Sequence, residues 1–252
     1  MEALRGFLAA AAAVEVPVLL LGETGTGKSL AARTLHQASR RADGPFLVVN
    51  CAGVPEGLFE SEFFGHRKGS FTGADADREG FLEAATGGTL FLDEVGELPV
   101  SQQGKLLLCL EEGVVRRVGE HWERPVDVRV VAGTGRDLRV ALEEGGFRRD
   151  LFHRLAVLRW RIPPLRERPE DALYLAIRLL RRLGRRYGRA EVALSTEARA
   201  WIQAQPWPGN VRQLAHALEA CVILSDVDLL TPEELAAVTE MGLTPRSEPK
   251  DG

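Results

Sequence analysis

The chain has 252 residues, room for one sizeable α/β core and a smaller appendage, and its 45% hydrophobic and 27% charged residues are those of an ordinary globular protein rather than a disordered one. A net charge of −4 excludes a protein that grips nucleic acid with its whole surface, because neutralising phosphates needs a concentrated excess of Lys and Arg. Cys51, Cys109 and Cys221 lack metal-ligand spacing and predict buried free thiols in a reducing cytosol, so a cytoplasmic protein is expected.

The apolar run from Phe7 to Val14 is short, alanine-rich and flanked by Glu2 and Glu15, unlike a signal peptide, and no stretch is long enough to span a membrane. Val16 to Leu21 is a continuously apolar run that suits a parallel strand covered on both faces. A glycine-rich turn follows, then helical spacing from Ser29 to Ser39. Further strands are predicted at Phe46–Asn50, Thr89–Leu92, Val128–Ala132 and Ala156–Trp160, with helices at Pro55–Phe64, Gly80–Ala85, Ser101–Glu112 and Arg148–Leu155. Such alternation predicts an α/β domain, residues 1–165, with a parallel sheet flanked by helices. The proline-rich segment Ile162–Pro169 marks the boundary. Beyond it, Glu170–Tyr187, Ser195–Gln203, Val211–Leu224 and Pro232–Met241 read as helices, with caps at Ser195 and Thr231, giving a small all-helical lid over 166–243. The polar tail, 244–252, is expected to be disordered. The basic run Arg178, Arg181, Arg182, Arg185, Arg186 and Arg189 recurs at helical spacing and reads as a solvated lid face in preference to a nucleic-acid site.

Between the first strand and its helix lies Gly22-Glu23-Thr24-Gly25-Thr26-Gly27-Lys28-Ser29, which has the spacing of a P-loop. Its glycines let backbone N–H groups surround phosphates, Lys28 is placed to reach the β- and γ-phosphates of ATP, and Ser29 to ligate Mg2+. Acidic residues after a strand are often only solvated turn residues; beside a P-loop, Asp93 and Glu94, after the apolar run Thr89–Leu92, read as the magnesium-orienting carboxylate and the general base.

Several segments resemble the central AAA+ ATPase domain of sigma-54-dependent transcription activators: the P-loop itself, Val-Asn-Cys-Ala (49–52), Phe-Phe-Gly-His (63–66), Gly-Gly-Thr-Leu-Phe-Leu-Asp-Glu (87–94), Pro-Pro-Leu-Arg-Glu-Arg (163–168) and Trp-Pro-Gly-Asn-Val-Arg (207–212). The resemblance runs from about Val16 to about Leu224. Gly69-Ser70-Phe71-Thr72-Gly73-Ala74 is similar to the family loop that touches sigma-54 and moves as ATP is hydrolysed, inserted here around 65–77. On the residues alone, partner contact and a buried staple are equal readings of Phe71; the resemblance implies contact. It also implies that Arg148 and Arg154 are arginine fingers acting in trans within a hexameric or heptameric ring, that Arg212 senses nucleotide in the same chain, and that Asn50 hydrogen-bonds Glu94. The implied function is a Mg-ATP-hydrolysing motor that remodels sigma-54 RNA polymerase. A nucleotide-binding regulator with weak turnover and a remodeller of another protein are the alternatives.

The chain departs from the family pattern at Ser29, commonly Glu, at Ser70, usually Ala, at Arg67, usually acidic, and at Gly135, where the family's first sensor usually ends Thr-Asn. Thr134 remains to compensate for the missing side chain at Gly135, and reduced but measurable turnover is expected. No receiver domain is seen before Val16 and no helix-turn-helix after the lid, so no direct DNA-binding domain is expected.

Overall fold

The computed structural model describes residues 2–240. The predicted tail and the last lid residues, 241–243, lie outside them. The chain divides into two compact units, Met1–Ile162 and Pro163–Gly252.

The first unit is built on five parallel strands: β1 (Val18–Leu21), β2 (Phe46–Asn50), β3 (Thr89–Asp93), β4 (Arg129–Thr134) and β5 (Leu158–Arg161), in spatial order β2-β3-β4-β1-β5. The sheet is parallel because each crossover carries helical segments long enough to return the chain to the starting edge. Register places Asn50 beside Asp93 and Leu21 beside Thr134, so the carboxyl ends of the strands converge on one edge. Side chains alternate across the sheet. Leu19, Leu90, Leu92, Val130 and Ala132 enter one core with Phe59 and Phe63, while Val18, Leu20, Phe91 and Val131 enter the other with Leu4, Leu8 and Leu35. Both faces are therefore buried, which explains the continuous apolar runs.

The boundaries of several predicted elements shift. β1 starts at Val18, after Pro17, which has no N–H to give a ladder; β4 runs on to Thr134, and β5 begins at Leu158. The region 55–64 splits into a 3-10 turn, Glu56–Leu58, and the helix Phe59–Phe64. Two helices go beyond the sequence reading, Glu2–Ala12 and Leu138–Glu143. The first buries Leu4, Leu8, Ala11 and Ala12, a helical stripe. Its carboxyl end is met by the buried guanidinium of Arg129, which donates to Ala11 O at 2.6 Å.

Two short antiparallel pairs lie outside the main sheet of this unit, Gly65–His66 with Arg78–Glu79 and Val114–Val115 with Arg124–Pro125. They are stitched together by Arg67 N donating to Val118 O at 3.0 Å and Val118 N to Gly65 O at 2.9 Å.

The second unit packs helices Pro169–Arg186, Thr196–Ala204, Asn210–Leu224 and Pro232–Glu240 around Leu180, Ile202, Trp207, Leu214 and Leu218. It is not purely helical: Ala193–Leu194 pairs in parallel with Leu229–Leu230. Ser195 caps its helix by accepting from Ala198 N at 3.1 Å, and Thr231 N donates to Glu234 Oε2 at 2.7 Å in a capping-box arrangement. Of the arginine run, Arg189, in the turn after the first lid helix, donates to the carbonyls of Val222 and Val227 and to Asp228, tying that turn to the end of the third helix and the segment that follows it.

Candidate nucleotide site and partner loop

The P-loop leaves β1 at Leu21 and turns because Gly25 and Gly27 hold φ of 81° and 107°, conformations closed to most other residues. Gly22 needs its missing Cβ for a different reason: one would lie 2.9 Å from Ile162 O. Gly27 ends the loop as the N-cap of the helix Lys28–Gln37 and supplies no side-chain cap to that helix's first N–H groups, the kind of donors that bind phosphate at a helix N-terminus.

Lys28 lies just 5% exposed, its Nζ donating to Gly22 O at 2.9 Å and to Glu94 Oε1 at 3.1 Å. Ser29 Oγ reaches Asp93 Oδ2 at 3.4 Å. Glu94 takes a left-handed backbone conformation, φ 53° and ψ 45°, at the end of β3. A non-glycine residue there costs on the order of 1 kcal/mol, and in this conformation the carboxylate meets Lys28 and Thr24 of the P-loop. Three donors then meet it: Lys28 Nζ, the main-chain N–H of Gly135 at 2.9 Å to Oε2, and Thr24 Oγ1 at 3.5 Å.

Electrostatics follow from this crowding. Burial pushes the Asp93 carboxyl above its ordinary range, Lys28 pulls it back, and the neighbouring Glu94 raises it again. Burial and the same two carboxylates push the Cys51 thiol up to about 12, so Cys51 is an inert packing group. A hydroxyl and a half-buried carboxylate side by side are the all-oxygen donor set that Mg2+ takes, and a dication beside Asp93 would offset the cost of keeping it ionised.

The remaining predicted site residues are placed as follows. Asn50 does not bond Glu94; its Oδ1 accepts from Ala52 N at 3.1 Å and caps the following 3-10 turn. The Thr134 side chain is 1% exposed, and its hydroxyl accepts from Arg136 N at 3.0 Å, within the turn that presents Gly135. Arg148 is the exposed N-cap of the helix Arg149–Leu155 and pairs with Asp150 at 2.7 Å, which holds the Asp150 carboxyl down at about 2. Arg154, also exposed, donates to Leu110 O at 3.1 Å. Arg212 sits exposed on the helix Asn210–Leu224 of the second unit. The sequence reading missed the Gly135 N–H, because a main-chain donor leaves no mark in residue type.

The Gly69–Ala74 loop closes the first hairpin. Gly69 and Gly73 hold φ of 79° and 97°, Gly69 N donates to Ala74 O at 2.8 Å, and Ala74 is buried. Phe71 is 39% exposed and Thr72 exposed, so the loop shows an aromatic and a hydroxyl at its tip. Ser70 turns its hydroxyl inward, without a hydrogen-bond partner.

Residues 1–161 match the family described as the Sigma-54 interaction domain, and residues 166–250 match the AAA+ ATPase lid domain. Among curated proteins the chain is 46% identical over 235 residues to the response regulator protein PilR of Pseudomonas aeruginosa, covering 93% of this chain and 53% of that one. It is 46% identical over 221 residues to the regulatory protein AtoC of Escherichia coli, covering 88% and 48%. The chain thus spans about half the length of these relatives. The crystal structure of NtrX from Brucella abortus in complex with ATP superimposes with a TM-score of 0.87 at 35% identity, over 100% of this chain and 56% of that one. A closed-state reconstruction of Hsp104 with ATPγS and casein, at 16% identity and a TM-score of 0.60 over 85% and 42% of the two chains, shares the fold.

Proposed function

The chain belongs to the sigma-54 interaction family of AAA+ ATPase domains, and on that footing we propose that it is a Mg-ATP-hydrolysing motor that remodels sigma-54 RNA polymerase in the cytoplasm. The observation that carries the reading is the meeting of Lys28, Ser29, Asp93 and Glu94 at one edge of the sheet, fed by two separate strand ends. Lys28 and the loop amides bind and orient the triphosphate, and Ser29 with Asp93 would hold Mg2+. The metal, when bound, neutralises charge on the phosphate oxygens and orients the terminal phosphate. Glu94 accepts a proton from the attacking water. For that it must leave Lys28 and Gly135, since an anion already satisfied by three donors is a poor base. Arg148 and Arg154, both at the surface, serve as the fingers for a neighbouring subunit in a hexameric or heptameric ring, and Arg212 reads nucleotide in its own chain, as the family resemblance implies. Phe71 and Thr72 are the contact to sigma-54.

A nucleotide-binding regulator with weak turnover is the second reading, favoured by Gly135, which offers Glu94 a main-chain N–H and has no side chain to offer a phosphate or a water. The partner reading is tested by measuring binding to sigma-54 with a transition-state analogue of ATP. Binding should appear with the analogue and be lost in Thr72→Ala. Binding indifferent to both would favour a different protein target.

A further inference from the structure

Phe71 is only partly exposed because an aromatic edge meets it: its ring and that of His66 lie 5.1 Å apart at 66°. His66 is itself 8% exposed and cannot swing freely, since Ser61 Oγ lies 2.7 Å from its Nδ1. Ser61 is a buried residue of the helix Phe59–Phe64, so the ring is anchored on the body of the domain while its edge reaches the loop. A main-chain bridge between His66 and Val118 fixes the strand beneath it. On the other side, a Cβ on Gly119 would approach Ser70 to 2.7 Å, so the second hairpin crowds the loop where Ser70 keeps an unpartnered hydroxyl. At its tip the loop is thus held by Phe71 on His66, and at Ser70 the second hairpin approaches it closely.

We propose that Ser61 and His66 form a clamp that sets how far Phe71 is withdrawn, which makes His66 a positioning residue for the loop. The inference rests on the reading of Gly69–Ala74 as a partner-contacting segment, but the clamp can be read without any partner. Ser61 fixes the imidazole plane, the imidazole shelters the phenyl ring, and the glycines at 69 and 73 let the loop leave once that shelter is lost.

The experiment is limited chymotrypsin digestion of the whole chain, with the initial rate of cleavage after Phe71 mapped by mass spectrometry. Cleavage after Trp122, 53% exposed in the neighbouring hairpin, serves as the internal reference. His66→Ala and His66→Gln should raise the Phe71 rate relative to the Trp122 rate by about 2- to 12-fold, the equilibrium factor an aromatic pair of this kind carries. Ser61→Ala should raise it less, and His66→Phe, which keeps a ring at the position, should return it toward wild type. An unchanged ratio in both His66→Ala and His66→Gln would overturn the clamp. Equal acceleration at Phe71 and Trp122 would overturn it too, because both hairpins would then have loosened together. Failure of sigma-54 to bind under any condition would refute the partner reading and leave the digestion result intact.

Discussion

Lys28 and Glu94 share an ion pair of 3.1 Å in which the lysine side chain is 5% exposed and the glutamate 23%. The residue proposed to bind phosphate and the residue proposed to activate water are therefore tied to each other. An arriving phosphate competes with Glu94 for the same ammonium, so binding and release of the base are one event. Removing the charge at Glu94 should ease that competition. In Glu94→Gln the affinity for ADP, measured by titration calorimetry, should equal or exceed that of wild type, whereas a loss of about tenfold, or 1.4 kcal/mol, would contradict the pairing.

Gly135 leaves room for a side chain. A Cβ there would have its nearest neighbours, Gly22 O, Glu94 Oε2 and Thr24 N, at 3.5 to 3.7 Å, ordinary contact distances, and the residue has no positive φ to strain a substitution. Gly135→Asn keeps the main-chain donor to Glu94 and adds an amide on the phosphate side. Removing one well-placed donor from a catalytic site costs about 10²- to 10³-fold, so adding one should raise turnover, by up to about 10²-fold. A folded variant with unchanged or lower turnover would show that the glycine is not what limits hydrolysis.

Arg148 and Arg154 lie on the surface, and the contacts they make are to Asp150 and to the Leu110 carbonyl. If they complete a neighbour's site, Arg148→Ala and Lys28→Ala should each be inactive alone, with losses of about 10³- to 10⁵-fold for the arginine. Mixed together, they should regain activity, because some interfaces then pair an intact P-loop with an intact arginine. A mixture as inactive as its parts would make each site self-contained.

Asn210 is fully buried, holds φ at 53°, and accepts from Leu165 N at 2.7 Å through Oδ1. Asn210→Ala removes the acceptor and puts a Cβ-bearing residue without a polar side chain into a left-handed position. It should destabilise the lid by about 2–4 kcal/mol, read from urea denaturation followed by tryptophan fluorescence. Asn210→Gly should cost less, since glycine accepts the backbone conformation. Equal losses would mean that the hydrogen bond alone matters.

Much of this was legible in the sequence because it is written in residue type. The P-loop glycines, the apolar run ending in Asp93-Glu94 and the alternation of strands with helices each follow from a local physical need. What was not legible depends on where chains meet in space. The Gly135 N–H is one of many identical amides until β4 is paired in register beside β1. The helix Glu2–Ala12 overlaps the apolar run from Phe7 to Val14, and Leu4, Leu8, Ala11 and Ala12 have the helical spacing that marks it. The family resemblance implies that Asn50 bonds Glu94, whereas its Oδ1 accepts from Ala52 N. His66 stands within the segment Phe-Phe-Gly-His, and only the fold brings Ser61 and Phe71 to its ring.

In the proposed mechanism Glu94, beside a Mg-ATP held by Lys28, Ser29 and Asp93, drives hydrolysis. Steady-state phosphate release with ATP and magnesium tests it most directly. Wild type should turn over measurably, lose activity when magnesium is chelated, and fall by about 10²- to 10⁴-fold in Glu94→Gln. Equal, near-zero release from wild type and Glu94→Gln would contradict the account and leave a domain that binds nucleotide without consuming it.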